Sequence, residues 1–293
     1  MINQSAFTLI NPQNGNLGFK IFSFEGTDHF DHIQRFNYYT LILVLEGSGQ
    51  LKTNFAEYTF NANTLMCFSL YQPFMLSSDI HLSGYVINFH PDFFCIHKHQ
   101  KEVACDGVLF NNMYQPPLIE LESKDTESFC ENIKQMMTEM QNADTGQYEL
   151  LVSHLKIFLI QATRIKKRTD PEVQKLFSNK NEPFVLQKLK DAIEKYYTTK
   201  HSASDYAELL NVSPKVLAKL AKTHYNKTLT DLIAERIVSE AKRELYLTDK
   251  PVKAIAYELG FNDEFYFSRF FKTNADVSPQ LFRDTVGFAK AEA

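Results

Sequence analysis

The sequence predicts an α+β protein in two parts: a β-barrel-like N-terminal domain with trailing helices, and an all-α C-terminal domain holding two helix-turn-helix units. Three observations predict it. From Phe19 to Phe89 short apolar runs alternate with turn residues, beyond Asp92 apolar residues recur at helical spacing, and near the C-terminus one helix-turn-helix pattern is written twice.

The bulk numbers agree with two domains. At 293 residues the chain can bury two separate cores. Residues 1–182 carry 14 Lys and Arg against 20 Asp and Glu, a net −6, and residues 183–293 carry 17 against 15, a net +2. The second part is only mildly basic, which argues for a few placed contacts to a polyanion over indiscriminate binding. The start, Met1-Ile2-Asn3-Gln4-Ser5, has no charged or apolar leader, and no stretch approaches the ~18 apolar residues of a membrane span, so a cytoplasmic protein without membrane contact is expected. Cys67, Cys95, Cys105 and Cys130 are too irregularly spaced for a disulfide framework and are expected to be free thiols.

In the first part Leu41-Ile42-Leu43-Val44-Leu45, the turn Glu46-Gly47-Ser48-Gly49, Gln50-Leu51-Lys52 and Tyr58-Thr59-Phe60 read as hairpins of a sandwich or small barrel. Two helices follow at about 123–142 and 147–167, the first with Phe129, Ile133, Met136, Met137 and Met140 on one face, the second with Leu151, His154, Leu155, Phe158 and Ile165. The charged run to Asp170, then Pro171 and the polar stretch to Pro183, reads as a boundary. The predicted organisation is a domain over 1–170, a linker over 171–183 and a helical domain over 184–293. Seven helices are predicted in the last, at 184–197, 204–210, 214–224, 230–247, 252–259, 263–273 and 279–286.

The repeat carries the most information. Ala207-Glu208-Leu209-Leu210-Asn211-Val212-Ser213-Pro214 is echoed 49 residues on by Ala256-Tyr257-Glu258-Leu259-Gly260-Phe261-Asn262-Asp263. Each copy reads as helix, tight turn, helix, and such a unit lays its second helix in the major groove of double-stranded DNA. In the first copy Leu217, Leu220 and Ala221 fall on the core face, which leaves Lys215, Ala218, Lys219 and Lys222 outward. In the second, Phe267, Phe270 and Phe271 pack inward, while Glu264, Phe265, Ser268, Arg269 and Lys272 project. Arg269 suits guanine, Glu264 cytosine and Phe265 a thymine methyl, so the second helix is expected to read sequence and the lysine-rich first to supply backbone affinity. An apolar stripe of Leu232, Ile233, Ile237, Ala241 and Leu245 marks the strut between them.

These residues resemble a known family. Ala207-x-x-Leu210-x-Val212-Ser213-x-x-x-Leu217, Arg236-x-x-x-x-Ala241-x-x-x-Leu245, Ile255-Ala256-x-x-x-Gly260-Phe261-x-Asp263-x-x-Tyr266-Phe267-Ser268-Arg269-x-Phe271-Lys272 and Val277-Ser278-Pro279-x-x-Phe282-Arg283 are similar to the DNA-binding domain of AraC/XylS transcription regulators. Ala221 stands where the family usually has Phe, and Asn226 where it usually has Gly. Residues 1–170 resemble, less specifically, the cupin-like sensor and dimerisation domain of that family. The resemblance implies a regulator, an activator in the simplest case, controlled by a small-molecule effector in the N-terminal barrel. It also implies a homodimer and, for an activator, RNA polymerase as a partner.

Other chemistries are weighed against this. His90, Cys95, His97, His99 and Cys105 crowd together and leave a metal or redox sensor as an alternative, but their spacing fits no established ligand motif, so no metal is expected. No nucleophile–base arrangement or phosphate loop is present, and Phe36-Asn37-Tyr38-Tyr39-Thr40 lacks the histidines of a metal-dependent cupin, so neither catalysis nor a cofactor is expected. Aromatic residues are dense in the first domain, with Phe22, Phe24, Tyr39, Tyr58, Phe68 and Tyr85 the candidates to line an effector pocket and ordinary core packing the competing reading. A ligand-free scaffold that only dimerises or binds a protein partner remains the other alternative. The helix at 147–167 could supply the dimer seam or pack back on the barrel.

Overall fold

The computed structural model describes residues 6–11, 15, 17–53, 56–104, 107–142, 144–169 and 184–286. The expected linker at 171–183 lies outside them. The chain divides into two compact units, one built from the described residues up to 112 and from 116–169, the other from 113–115 together with 184–286.

The first unit holds nine strands: β1 (Phe7–Ile10), β2 (Leu17–Glu25), β3 (Tyr39–Glu46), β4 (Gly49–Thr53), β5 (Glu57–Phe60), β6 (Thr64–Phe68), β7 (Phe74–Ser77), β8 (Ser83–Phe89) and β9 (Leu118–Glu120). They form an antiparallel six-stranded sheet, β1-β2-β8-β3-β6-β9, and a three-stranded sheet, β5-β4-β7. Among the described residues this is a pair of sheets in place of one closed barrel. Because side chains alternate along a strand, the register decides which residues meet. Phe24, Ile42, Val44, Met66, Phe68 and Val86 of the larger sheet pack with Leu51, Phe60, Phe74 and Leu76 of the smaller in one buried cluster. The alternate residues Leu41, Leu43, Leu65, Ile87 and Phe89 are buried too. That explains the unbroken apolar run Leu41 to Val44: β3 is covered on both faces, so alternation with polar residues is absent.

Three helices belong to this unit, α1 (Gln100–Val103), α2 (Ser123–Gln141) and α3 (Gln147–Thr169). Phe129 of α2 meets Phe158 of α3 at 4.4 Å between ring centroids. The ammonium of Lys166 is drawn in and donates to the carbonyls of Pro116 and Leu118, at 2.9 and 2.7 Å, which pins the start of β9 to α3. Leu150 and Ile157 of α3 remain exposed, two turns apart on one face. No described helix is long and apolar enough to cross a membrane.

The second unit is helical: α4 (Phe184–Tyr196), α5 (Ala203–Leu210), α6 (Pro214–Tyr225), α7 (Leu229–Leu247), α8 (Val252–Glu258), α9 (Glu264–Ala275) and α10 (Pro279–Val286). Each matches a predicted helix to within a few residues at its ends. The strut α7 is 19 residues, roughly 28 Å at 1.5 Å per residue. Thr228 and Asp231 cap its start reciprocally, and Leu232, Ile233, Ile237, Ala241 and Leu245 are buried along it.

Candidate DNA-reading face

The two helix-turn-helix units are copies in their hydrogen bonds as well as in their letters. At the end of α5 the Val212 amide donates to the Ala207 carbonyl at 3.0 Å, and the Asn211 amide to Glu208 at 3.1 Å. At the end of α8 the Phe261 amide donates to Ala256 at 3.0 Å and the Gly260 amide to Tyr257 at 3.0 Å. Every partner is displaced by 49 residues. These are the paired bonds that close a helix through one left-handed residue, here Asn211 at φ +53° and Gly260 at φ +82°. The second helices start alike: the side chains of Ser213 and Asp263 accept from the amides of Val216 and Tyr266. They also end alike, on left-handed Asn226 and Asp276. Asn226 thus adopts the conformation for which glycine is the commoner choice, as a short polar side chain allows.

Packing then turns one face of each second helix outward. Leu217 and Ala221 of α6 are buried, with Leu220 at the margin, and Lys215, Ala218, Lys219 and Lys222 are exposed along the opposite side. The Lys222 ammonium lies 3.3 Å from the Asn226 carbonyl and so helps cap its own helix. In α9, Phe267 and Phe271 are buried, whereas Phe265, Arg269 and Lys272 are exposed and Glu264 and Ser268 partly so. Phe270, expected inside, is only half-buried and rests against Phe261 at 5.1 Å, because it sits one step off the core stripe. Arg269 makes no ion pair with any described residue. Phe265 is 67% exposed and Tyr266 56%, a large apolar area to leave in water on a helix end. Tyr266 and the exposed Val216 were missed from the sequence; counting helical positions outward from the core would have found both.

The units are joined by more than the strut. A Cβ at Gly260 would overlap the carbonyl oxygen of Thr198, and the His201 ring lies 4.7 Å from that of Phe261. The segment between α4 and α5 therefore abuts the turn of the second unit. At the far end of α7, the Arg283 guanidinium donates to the carbonyls of Leu245, Thr248 and Lys250, at 3.1, 3.4 and 2.7 Å, and closes the strut. Two turns into α7, Arg236 lies over the Tyr197 ring at 3.9 Å and pairs with Glu194 and Glu240 at 2.8 and 3.0 Å.

The helix-turn-helix domain family matches residues 206–285. The raffinose operon transcriptional regulatory protein of Pediococcus pentosaceus is 32% identical over 95 residues, 32% of this chain and 34% of that protein. The C-terminal unit is an AraC-type helix-turn-helix domain. The arabinose operon regulatory protein of Salmonella typhimurium is 28% identical over 107 residues, 34% of this chain and 37% of its own length. The matched stretch thus spans about a third of either relative. The solved structure of ToxT from Vibrio cholerae O395 aligns over 93% of this chain and 99% of its own, at 16% identity and a TM-score of 0.41.

The aromatic candidates of the first unit divide between two places. Phe22, Phe24, Tyr58 and Phe68 belong to the core between the sheets. Tyr39 points the other way, with Phe89 at 5.0 Å and Phe110 at 4.7 Å, and the register puts Tyr85 on that same face of the sheet. Six aromatics from alternating registers cannot line one pocket. Structure adds what the sequence did not mark: Thr40 and Asn88 are register partners on the inter-sheet face, both buried, and their Oγ1 and Oδ1 have no hydrogen-bond partner among the described residues. Half-buried Phe22 and Phe36 pack against the inter-sheet cluster, Phe36 stacking on Tyr38 at 4.7 Å.

The histidine and cysteine cluster is taken up by other bonds. His90 is buried beside Asp92, and His99 stacks on Phe94 at 4.7 Å and pairs with Glu102. The Lys98 amide meets the Cys95 sulfur. Among the described residues no group of three such side chains could hold a metal ion; Cys105 lies outside them. The Cys67 thiol is buried in β6, and burial pushes its pKa up to about 12, which makes it a poor nucleophile.

Proposed function

We propose that the chain is a cytoplasmic, sequence-specific DNA-binding transcription regulator, an activator controlled by a small effector in its first unit. The observation that carries this reading is the duplicated helix-turn-helix with exposed second helices whose lysines and Arg269 face solvent. A strut of ~28 Å between such units suits two major-groove segments on one side of the duplex, about 34 Å apart. The exposed Leu150 and Ile157 of α3 offer a seam for a homodimer, and an activator would also touch RNA polymerase.

The test is selection of genomic fragments by the full chain, then comparison of variants on the retained sites. Arg269→Ala is expected to lose about 1–3 kcal/mol and relax one base position. Lys219→Ala is expected to weaken all sequences alike and reduce the salt slope by about one. Equal behaviour of the two variants would remove α9 from its reading role, and retention of no fragment at moderate salt would remove the regulator reading.

For the effector, the buried, unpartnered oxygens of Thr40 and Asn88 on the inter-sheet face support a binding place there. Replacing a buried, unpaired hydroxyl by a methyl removes a desolvation cost. Thr40→Val is therefore expected to hold or raise the thermal midpoint of the free protein. It should also reduce the upward shift that an active compound from a metabolite panel gives the native chain. A fall in midpoint with undiminished compound shifts would move the effector elsewhere and favour a ligand-free scaffold.

A further inference from the structure

We propose that Tyr114 is a positioning residue for the first helix-turn-helix unit, a brace within the compact body of the second unit. Residues 113–115 are flanked on both sides by residues of the first unit, yet they belong to the compact body of the second. Within that body the Tyr114 hydroxyl donates to Oε1 of Glu194 at 3.0 Å, while Oε2 of the same carboxylate accepts from Arg236 at 2.8 Å. The Tyr114 ring lies 5.7 Å from that of Tyr225, the last residue of α6, and the Lys190 ammonium sits 5.1 Å from the first ring and 5.8 Å from the second. One residue earlier, the Met113 carbonyl accepts from the buried ammonium of Lys227 at 2.9 Å.

Met113 and Tyr114 thus touch α4, the end of α6 and the turn that leads into α7, the segments whose mutual placement sets the first reading helix. The two units differ in how much they need such a brace. The second is packed by Phe261, Phe267, Phe271 and Phe282 in mutual ring contact. The first has Leu217, Ala221 and Tyr225 inside α6, and the alanine leaves it less volume to bury. Burial beside Glu194 raises the phenol pKa, so it stays protonated and remains a donor.

The position of Tyr114 in the fold is independent of the regulator reading; its consequence for DNA rests on it. The test uses the full chain with Tyr114→Phe and Tyr114→Ala. Hydrogen exchange of the α6 amides is expected to rise about tenfold in Tyr114→Ala and less in Tyr114→Phe, with α9 unchanged in both. On fragments selected by the native chain, Tyr114→Ala should lose nuclease protection over the segment covered by α6 and keep that covered by α9. Unchanged exchange in α6, or an equal rise in α6 and α9, would overturn the brace. If the native chain retains no fragment, the regulator reading fails and the exchange pattern alone decides the brace.

Discussion

Gly260→Ala is expected to unfold or disable the second helix-turn-helix unit. Two costs combine. The residue stands at φ +82°, where an L side chain costs about 1–2 kcal/mol. Its Cβ would also overlap the Thr198 carbonyl oxygen, a backbone atom that cannot swing aside, for a further 1–3 kcal/mol or so. Gly260→Asn separates the two. Asparagine is tolerated in the left-handed region, as Asn211 shows at the same place in the first unit, but it still brings a Cβ. Chemical denaturation followed by circular dichroism should therefore show Gly260→Asn nearly as damaged as Gly260→Ala, whereas Asn211→Gly, at a left-handed C-cap that suits glycine, should change stability by no more than about half a kcal/mol. Near-native stability of Gly260→Asn would mean that backbone conformation alone selects glycine and that the contact between the two units is loose.

Lys227→Met is expected to cost about 2–4 kcal/mol, since it strands a largely buried carboxylate, 22% exposed. Lys227 is 5% exposed, and its ammonium holds Oε2 of Glu235 at 2.7 Å together with the Met113 carbonyl. Burial already raises the Glu235 pKa above the usual carboxylate range, with Lys227 pulling it back. Without the lysine the folded carboxyl rises further. A folded pKa above the unfolded one gives stability that is present at low pH and lost as pH climbs through the folded value. The deficit of Lys227→Met should therefore shrink on going from pH 8 to pH 5. The double variant Lys227→Met, Glu235→Leu should recover most of the loss, because two apolar side chains need no desolvation offset. A deficit that is independent of pH and not recovered by the second change would show that Lys227 acts through the Met113 carbonyl alone.

The helices were legible because their signals are local. Ser213 before Pro214, Asp263 before Glu264 and the apolar stripe of α7 specify ends and faces within a few residues, and the structure keeps them. The strands were legible as strands, but their pairing was not. Whether Tyr39 and Tyr85 share a face with Phe68 depends on registers set across tens of residues, and the expected aromatic set was divided for that reason. Thr40 and Asn88 carried no signal in sequence, since a threonine or asparagine in a strand is unremarkable until its surroundings are known.

What the sequence determined by itself is the repeat: two helix-turn-helix units, their caps, and the outward placement of Lys219 and Arg269. Each follows from spacing within one helix and from side chains that bond their own backbone. Only the tertiary structure decided why Gly260 must be glycine, why Lys227 is buried, and that Tyr114 belongs with helices eighty residues away. Those are contacts between segments distant in the chain, and their energies come from close approach, desolvation and paired charge, none of which exists until the segments meet.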